Sequence, residues 1–327
     1  MAYFISQSLF FIIPLLVVAL AGMFSEKSGT VNIALEGLMV IGAFCGTFFI
    51  SKMQIQGAFI NSPQLFLVIS ILLAGIGGMI FSSLLAFLAI NMRANQVIGG
   101  TAINLLAGAL AIFMAKQFQD NNAVQISYNK DVFRFKSDFL ADVFPGINYI
   151  FFNQAYMTLY IGIAILIIST IVIYKTKFGS RLSACGEHPE AAQSVGINVY
   201  KYRWTGVLIS GFLAGIGGLI YALPISVSFE GTVAGYGFLA LAVLIFGQWK
   251  PQRILMAAIF FGGFKALSVT YFGISWIKVL MESAPNFPFA TVFKILPYIA
   301  TMIVLAIASG KSKAPKAAGI PFDAKGN

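Results

Sequence analysis

Apolar runs of membrane-spanning length recur from residue 8 to residue 309, and they limit the possible folds more than any single residue does. Taking roughly 20 apolar residues as one crossing, nine segments qualify: about 8–24, 31–50, 64–90, 96–115, 154–174, 204–224, 235–249, 254–272 and 295–309. In hydrocarbon a spanning backbone must satisfy its own hydrogen bonds, so these runs are expected to be helices. The fold class that follows is all-α: a polytopic integral membrane bundle of about nine (8–10) helices, with residues 1–309 as one transmembrane domain. Composition agrees, with 59% hydrophobic and 10% charged residues, against about 45–50% and about 25% in soluble domains. Segments 31–50 and 235–249 are glycine-rich and the second is short, which marks both as candidate broken or re-entrant elements.

The net charge of +10 sits mainly in short connections. Lys175, Lys177, Arg181, Lys201 and Arg203 follow the fifth crossing, and Lys311, Lys313, Lys316 and Lys325 lie in the tail. With Lys27, Arg93, Lys250 and Arg253 they put 13 of 21 basic residues on one side. Retained cytoplasmic loops carry such a bias, so no nucleic-acid partner is expected, and the N-terminus is expected outside and the C-terminus in the cytoplasm. The largest opposite connection, 119–153, is expected to be an external loop, because Asp120, Asp131, Asp138 and Asp142 outnumber Lys130, Arg134 and Lys136. The first basic residue is Lys27, so the apolar start is expected to be a retained helix rather than a signal peptide. The tail at 310–327, rich in Lys, Ala, Pro and Gly, is expected to be disordered and drawn to anionic lipid.

Two heptapeptides, Ala74-Gly-Ile-Gly-Gly-Met-Ile and Ala214-Gly-Ile-Gly-Gly-Leu-Ile, lie three crossings apart and so run in opposite directions. An inverted repeat gives this pattern, and so do small residues that let helices approach closely. The sequence leaves both open.

Chemistry is sparse along the chain. Gly310-Lys311-Ser312 resembles the end of a phosphate loop, but Leu305 stands at the required earlier glycine. The sole histidine, His188, lies in a loop, no His/Cys/Asp/Glu cluster has metal-ligand spacing, and Cys45 and Cys185 stand apart. No metal site, catalytic residue or bound cofactor is therefore expected. Glu36 and Lys265 are the ionisable residues at membrane depth. A buried charge in lipid usually faces a pathway or a polar partner. Glu36 is accordingly a pathway candidate or a structural hydrogen-bonding group, with Asn32 one turn before it, and Lys265 is placed to snorkel. The run Asn95-Gln96-Val97-Ile98-Gly99-Gly100-Thr101-Ala102-Ile103-Asn104 offers uncharged donors and acceptors suited to a neutral polar solute. Helix-to-helix bonding and an N-cap at Asn95 are the alternative.

The loop Ser183-Ala-Cys-Gly-Glu-His-Pro-Glu-Ala-Ala-Gln-Ser-Val-Gly-Ile-Asn198 predicts a short helix from Glu187 to Val195, started by Pro189 and ended by Gly196. It has little apolar face for lipid, which favours a docking element over an interfacial connector.

Four stretches resemble the permease family of bacterial ATP-binding-cassette importers for branched-chain amino acids, simple sugars and nucleosides. They are Phe24-Ser-Glu-Lys-Ser-Gly-Thr-Val-Asn-Ile-Ala-Leu-Glu-Gly-Leu-Met-Val-Ile-Gly-Ala43, Asn95 to Asn104, Gly186-Glu-His-Pro-Glu-Ala-Ala-Gln-Ser-Val-Gly-Ile197, and Gly235-Tyr-Gly-Phe-Leu-Ala-Leu-Ala-Val-Leu-Ile-Phe-Gly-Gln-Trp-Lys-Pro251. The resemblance implies a type II-like importer permease in a bacterial plasma membrane, forming half of a pathway and coupled to a separate ATPase subunit that binds ATP and Mg. It implies that the coupling element comprises Gly186, Glu187, His188, Pro189, Glu190, Ala191, Ala192 and Gly196 within a cytoplasmic loop 175–203. Tyr236 and Phe238 join Asn32, Glu36, Asn95, Gln96 and Asn104 as pathway candidates. The last stretch looks most like nucleoside permeases, which implies a second, different permease and an external substrate-binding lipoprotein. Permeases for simple sugars or branched-chain amino acids, and a secondary transporter or channel working without ATP, are the alternatives.

Overall fold

The computed structural model describes residues 2–57, 59, 61–118, 126–134, 148–150, 155–225, 228–273, 275–283, 287–308 and 314–323. The helices are α1 (Ala2–Lys27), α2 (Leu35–Ile55), α3 (Pro63–Ala86, extended by a π turn over Phe87–Asn91), α4 (Gln96–Phe118), α5 (Met157–Lys175), α6 (Lys177–Glu187), α7 (Pro189–Ser194), α8 (Val199–Ile225), α9 (Tyr236–Phe246), α10 (Pro251–Thr270), α11 (Ser275–Ser283) and α12 (Phe289–Ala308). Among the described residues, seven are long and apolar enough to cross a membrane (α1, α2, α3 with its extension, α4, α5, α8 and α10), while α9 and α12 are shorter apolar helices.

The bundle has a centre and a lipid-facing rim, and glycine decides which helix is which. The apolar windows of α1 and α8 are 89% and 78% buried, that of α4 only 22%. Along α8, Gly217 abuts Val18 of α1, Gly218 abuts the Met39 carbonyl of α2, and Gly211 and Gly215 abut the α3 backbone at Gly78 and Ala74. A helix without side chains on three sides lets three neighbours close to backbone contact. The two heptapeptides therefore meet: Ala74 and Gly78 of α3 face Gly215 and Gly211 of α8, antiparallel, and Trp204 Nε1 donates to Asn91 Oδ1 (2.9 Å) farther along the seam.

The expected external segment is partly packed. Residues 119–125, 135–147 and 151–154, with Asp120, Asp138, Asp142 and Lys136, lie outside the described residues. In the described part, β1 (Ile126–Ser127) pairs antiparallel with β2 (Ser228–Phe229), Ile126 and Phe133 are fully buried, and the Tyr128 hydroxyl donates to the Ala222 carbonyl (2.8 Å).

Two expectations change. The helix predicted from Glu187 to Val195 is broken at His188, because Pro189 disfavours helical backbone in the preceding residue; α6 ends at Glu187 and α7 runs only to Ser194. The disordered tail is not what residues 314–323 form. They lie against the loop-bearing face, anchored by buried Phe322 and Ala317, two apolar side chains that a basic average composition conceals. Residues 309–313 and 324–327, with Lys311, Lys313 and Lys325, lie outside the described residues.

A Cβ on Gly215 would fall on the Ala74 carbonyl, whereas one on Gly108 of α4 meets nothing within 4 Å. Gly215→Leu is therefore expected to destabilise the bundle by about 3 kcal/mol or more through overpacking, and Gly108→Leu to leave it near wild type. Thermal unfolding in detergent checks this, and equal melting temperatures would refute the glycine seam.

Candidate functional site

The site begins with a break in the backbone. Between α1 and α2, residues 28–34 leave helical geometry inside the bundle, and Ser28, Thr30, Asn32 and Ala34 are fully buried. Peptide groups there cannot turn to water, so side chains must serve them. Ser25 Oγ donates to the Thr30 carbonyl (2.7 Å), Gln96 Oε1 accepts from Val31 N (2.7 Å), and Asn104 accepts from Gly37 N (2.7 Å) while donating to the Ile33 carbonyl (2.9 Å). Asn32 accepts from Ala34 N (3.0 Å) and donates to Ser210 Oγ (2.9 Å).

α9 is the partner of this break. It is 11 residues long, about 16 Å or half a crossing, and it starts abruptly after Ala234 and Gly235, both left-handed (φ 52° and 78°). Gly237 lies so close to the backbone of Leu35 and Glu36 that any side chain would collide. The Glu36 carboxylate caps the exposed start, accepting from Gly235 N (2.8 Å) and Gly237 N (2.6 Å). At the other end, Gln248 and Trp249 are consecutive left-handed residues (φ 50° and 53°), a conformation costly for non-glycine residues. Trp249 Nε1 donates to Glu26 Oε2 (2.6 Å) in a buried contact that holds this turn. Two carboxylates ten residues apart in sequence thus pin α9 at both ends.

Beside the α9 start lies a cavity of about 330 Å³, bordered by Gly235, Phe238, Lys265 of α10, and Pro297 and Thr301 of α12. That volume falls in the range of small-molecule sites. Phe238 is half exposed, and the buried Tyr236 hydroxyl has no hydrogen-bond partner among the described residues. Half-helix starts often receive anionic groups; here Glu36 already occupies that end, which leaves the cavity suited to a neutral polar molecule.

The sequence-derived pathway residues therefore divide. Asn32, Glu36, Gln96 and Asn104 are engaged with backbone at the break, and Asn95 caps α4 by accepting from Val97 N (2.9 Å) and Ile98 N (3.2 Å). Tyr236 and Phe238 border the cavity, and so does Lys265, which the sequence placed to snorkel. Glu26 and Trp249 were missed as a pair; an acid at a helix end facing an indole 223 residues away leaves no local pattern.

The second candidate region is the loop on the opposite end of α9. Thr176 Oγ1 caps α6 by accepting from Gly179 N (3.1 Å), and Gly179, Leu182, Cys185 and Gly186 turn inward. Gly186 sits on the Lys27 carbonyl with no room for a side chain. α7 follows, its end closed by left-handed Gly196 (φ 82°) and by Ile197 N donating to the Ala192 carbonyl (3.0 Å). Ala192 is buried, Glu187, His188, Glu190 and Gly196 are exposed, and Val195 is 73% exposed at the tip. Burial pushes the Cys185 thiol up to about 11, against the opposing pull of Arg203.

The model of the family described as branched-chain amino acid transport system / permease component matches residues 4–305. The chain belongs to this permease family. The nucleoside ABC transporter permease protein NupC of Lactococcus lactis is 39% identical over 97% of this chain and 96% of its own. The guanosine ABC transporter permease protein NupQ of Bacillus subtilis is 40% identical over 97% and 95%. NupB of L. lactis, also named a nucleoside ABC transporter permease protein, is 26% identical over 93% and 81%. No solved structure matches. As an ABC transporter permease, the protein is a non-catalytic, multi-pass membrane component.

Removing the carboxylate in Glu36→Ala leaves two N–H groups of the permease uncapped, a loss of about 1–3 kcal/mol for each, whereas Glu36→Gln keeps one acceptor. The melting temperature is expected to fall in the order wild type, Gln, Ala; an unchanged Ala variant would remove Glu36 from the structural role.

Proposed function

We propose that this permease forms half of the translocation pathway of an importer for nucleosides, driven by a separate ATPase subunit that binds ATP and Mg and docks on α6, α7 and Gly196. The observation that carries the reading is the half-helix α9, which opens the cavity at one end and reaches toward the docking loop at the other. With Glu36 already occupying the α9 start, the site suits a cargo without net charge. Phe238 offers a ring for stacking on a nucleobase, and Lys265 and Thr301 offer donors to its acceptors. The names of NupC and NupQ support the substrate class, and NupB beside NupC in one organism supports a second, different permease as partner. An external substrate-binding lipoprotein completes the assembly.

The basic residues Lys27, Arg93, Lys175, Lys177, Arg181, Lys201, Arg203, Lys250 and Arg253 support a cytoplasmic loop-bearing face. The Ala2 end of α1, about 39 Å away along 26 residues, is then external. Val195, an exposed apolar tip between Gln193 and Gly196, is the contact we assign to the ATPase groove, with Glu187, His188, Pro189, Glu190, Ala191 and Ala192 framing it.

With the complete complex in membrane vesicles, guanosine uptake is expected to require ATP, and the purified chain alone in liposomes is expected to move none. Gradient-driven uptake by the chain alone would instead establish a secondary transporter. Glu187→Lys, Glu190→Lys and Gly196→Leu are expected to uncouple ATP hydrolysis from uptake while assembly is retained, and full uptake in all three would end the docking role. Phe238→Ala is expected to lower uptake about tenfold by loss of stacking, on the order of 1–3 kcal/mol per base, with ATP hydrolysis retained; uptake equal to wild type would exclude the cavity from the pathway.

A further inference from the structure

The C-terminal residues 314–323 belong to neither the pathway nor the α6–α7 loop, yet they are bonded to α6, to the α1–α2 break, to the start of α8 and to the α3–α4 connection. Ala317 N donates to the Gly186 carbonyl (2.8 Å), and Gly319 N donates to the Gly29 carbonyl (3.2 Å). Arg203 Nη1 donates to the Ile320 carbonyl (2.9 Å), and the Tyr200 hydroxyl donates to the Phe322 carbonyl (3.3 Å). The Asp323 carboxylate takes both Arg93 nitrogens, at 2.6 and 2.8 Å. Paired backbone bonds and a bidentate ion pair define a register, which a tail resting on the surface lacks.

The anchor is Phe322. Its ring is 6% exposed and packs with Cys185, Ala192 and Val199, 5.5 Å from Tyr200 and 5.8 Å from the Arg203 guanidinium. Arg203 is itself 1% exposed and lies against Gly29, whose left-handed backbone (φ 97°) leaves no space for a side chain. No carboxylate pairs with this buried cation among the described residues. The segment supplies its polar and aromatic contacts instead: a carbonyl at Ile320 and the face of Phe322. Pro315 and Pro321 stiffen the two ends, and Gly319 (φ 81°) makes the turn between them.

We propose that residues 314–323 are a positioning strap that locks the α6–α7 loop to the α1–α2 break, so that displacement of the docking loop is delivered to the backbone carrying Glu36 and α9. The strap touches Gly186 and Ala192 on the loop side and Gly29 on the break side. Seven residues after Gly29, Glu36 caps the α9 start. Without the strap, the two sides still meet where Gly186 lies on the Lys27 carbonyl and beside Gly29 N, a contact of one glycine with no side chain to hold it. Phe322 and Arg203 are thus positioning residues for coupling; neither borders the cavity.

The proposal rests on the reading that an ATPase docks at the loop. Cys185 gives a direct readout, since its fully buried thiol lies under Phe322 and the other cysteine can be removed as Cys45→Ala. In the complete complex, a chain ending at residue 313 and the Phe322→Ala variant are expected to raise maleimide labelling of Cys185 about tenfold, as local opening becomes frequent. Guanosine moved per ATP hydrolysed is expected to fall about fivefold, the scale of a modest coupling energy, with assembly and basal hydrolysis retained. Arg93→Asp is expected to act in the same direction more weakly, and adding Asp323→Arg to restore both measurements. Those two residues are exposed, so their exchange does not threaten folding. Unchanged labelling in the shortened chain, or faster labelling with wild-type transport per ATP, would overturn the strap's role. If Glu187→Lys also keeps full uptake, the docking reading itself has failed; if Glu187→Lys uncouples while the strap variants do not, only the strap has failed.

Discussion

A backbone that leaves helical geometry inside a membrane bundle must have each of its peptide groups met by protein. The permease is organised around that obligation at residues 28–37. Gln96 and Asn104 reach in from α4, Asn32 ties the break to Ser210 of α8, and Glu36 turns outward to cap α9. One short irregular segment therefore fixes the relative placement of α2, α4, α8 and α9. The polar residues that a substrate pathway would use are mostly consumed in making the break possible, and the cavity is left with an aromatic ring, an ammonium and a hydroxyl.

The sequence was most informative where chemistry is local. Crossing lengths follow from apolar runs, and the shortness of 235–249 marks it as a candidate broken or re-entrant element, where α9 runs for 11 residues. Pro189 and Gly196 located the turn of the α6–α7 loop, although the same proline shortened the helix it was expected to begin. What could not be read is long-range partnership. For Glu36 the sequence offers a pathway role or a structural bond, but its partners are backbone amides some 200 residues away, and no side-chain pattern announces a backbone amide. Glu26 and Trp249 were invisible for the same reason. The matched heptapeptides pose a different difficulty: the sequence offers symmetry and packing as explanations, and the direct meeting of the two motifs in space gives packing a concrete form while leaving their ancestry open.

The tail illustrates how averages mislead. Lysine, alanine, proline and glycine describe a chain without a core of its own, and residues 314–323 have none. They borrow one, inserting Phe322 into a small cluster built by α6, α7 and the start of α8. Arg203, buried with no carboxylate partner among the described residues, likewise makes sense only once the segment above it is in view. In both cases the stabilising partner lies more than 100 residues distant, and composition carries no record of it.

The glycine faces of α8 have a mechanical consequence. Helices that meet through large side chains interlock like teeth, and moving one past another requires rotamers to change together. Where α8 meets α2 and α3 through Gly42, Gly78, Gly211, Gly215 and Gly218, the touching surfaces are bare backbone, flanked by Phe212 and Ile216 set against Gly75 and by Leu219 set against Gly46. Such a contact resists separation, because the atoms are close and numerous, while resistance to sliding falls on the few side chains that flank it. It is a joint that carries load across its normal and is keyed along its length by three side chains, at the centre of the bundle.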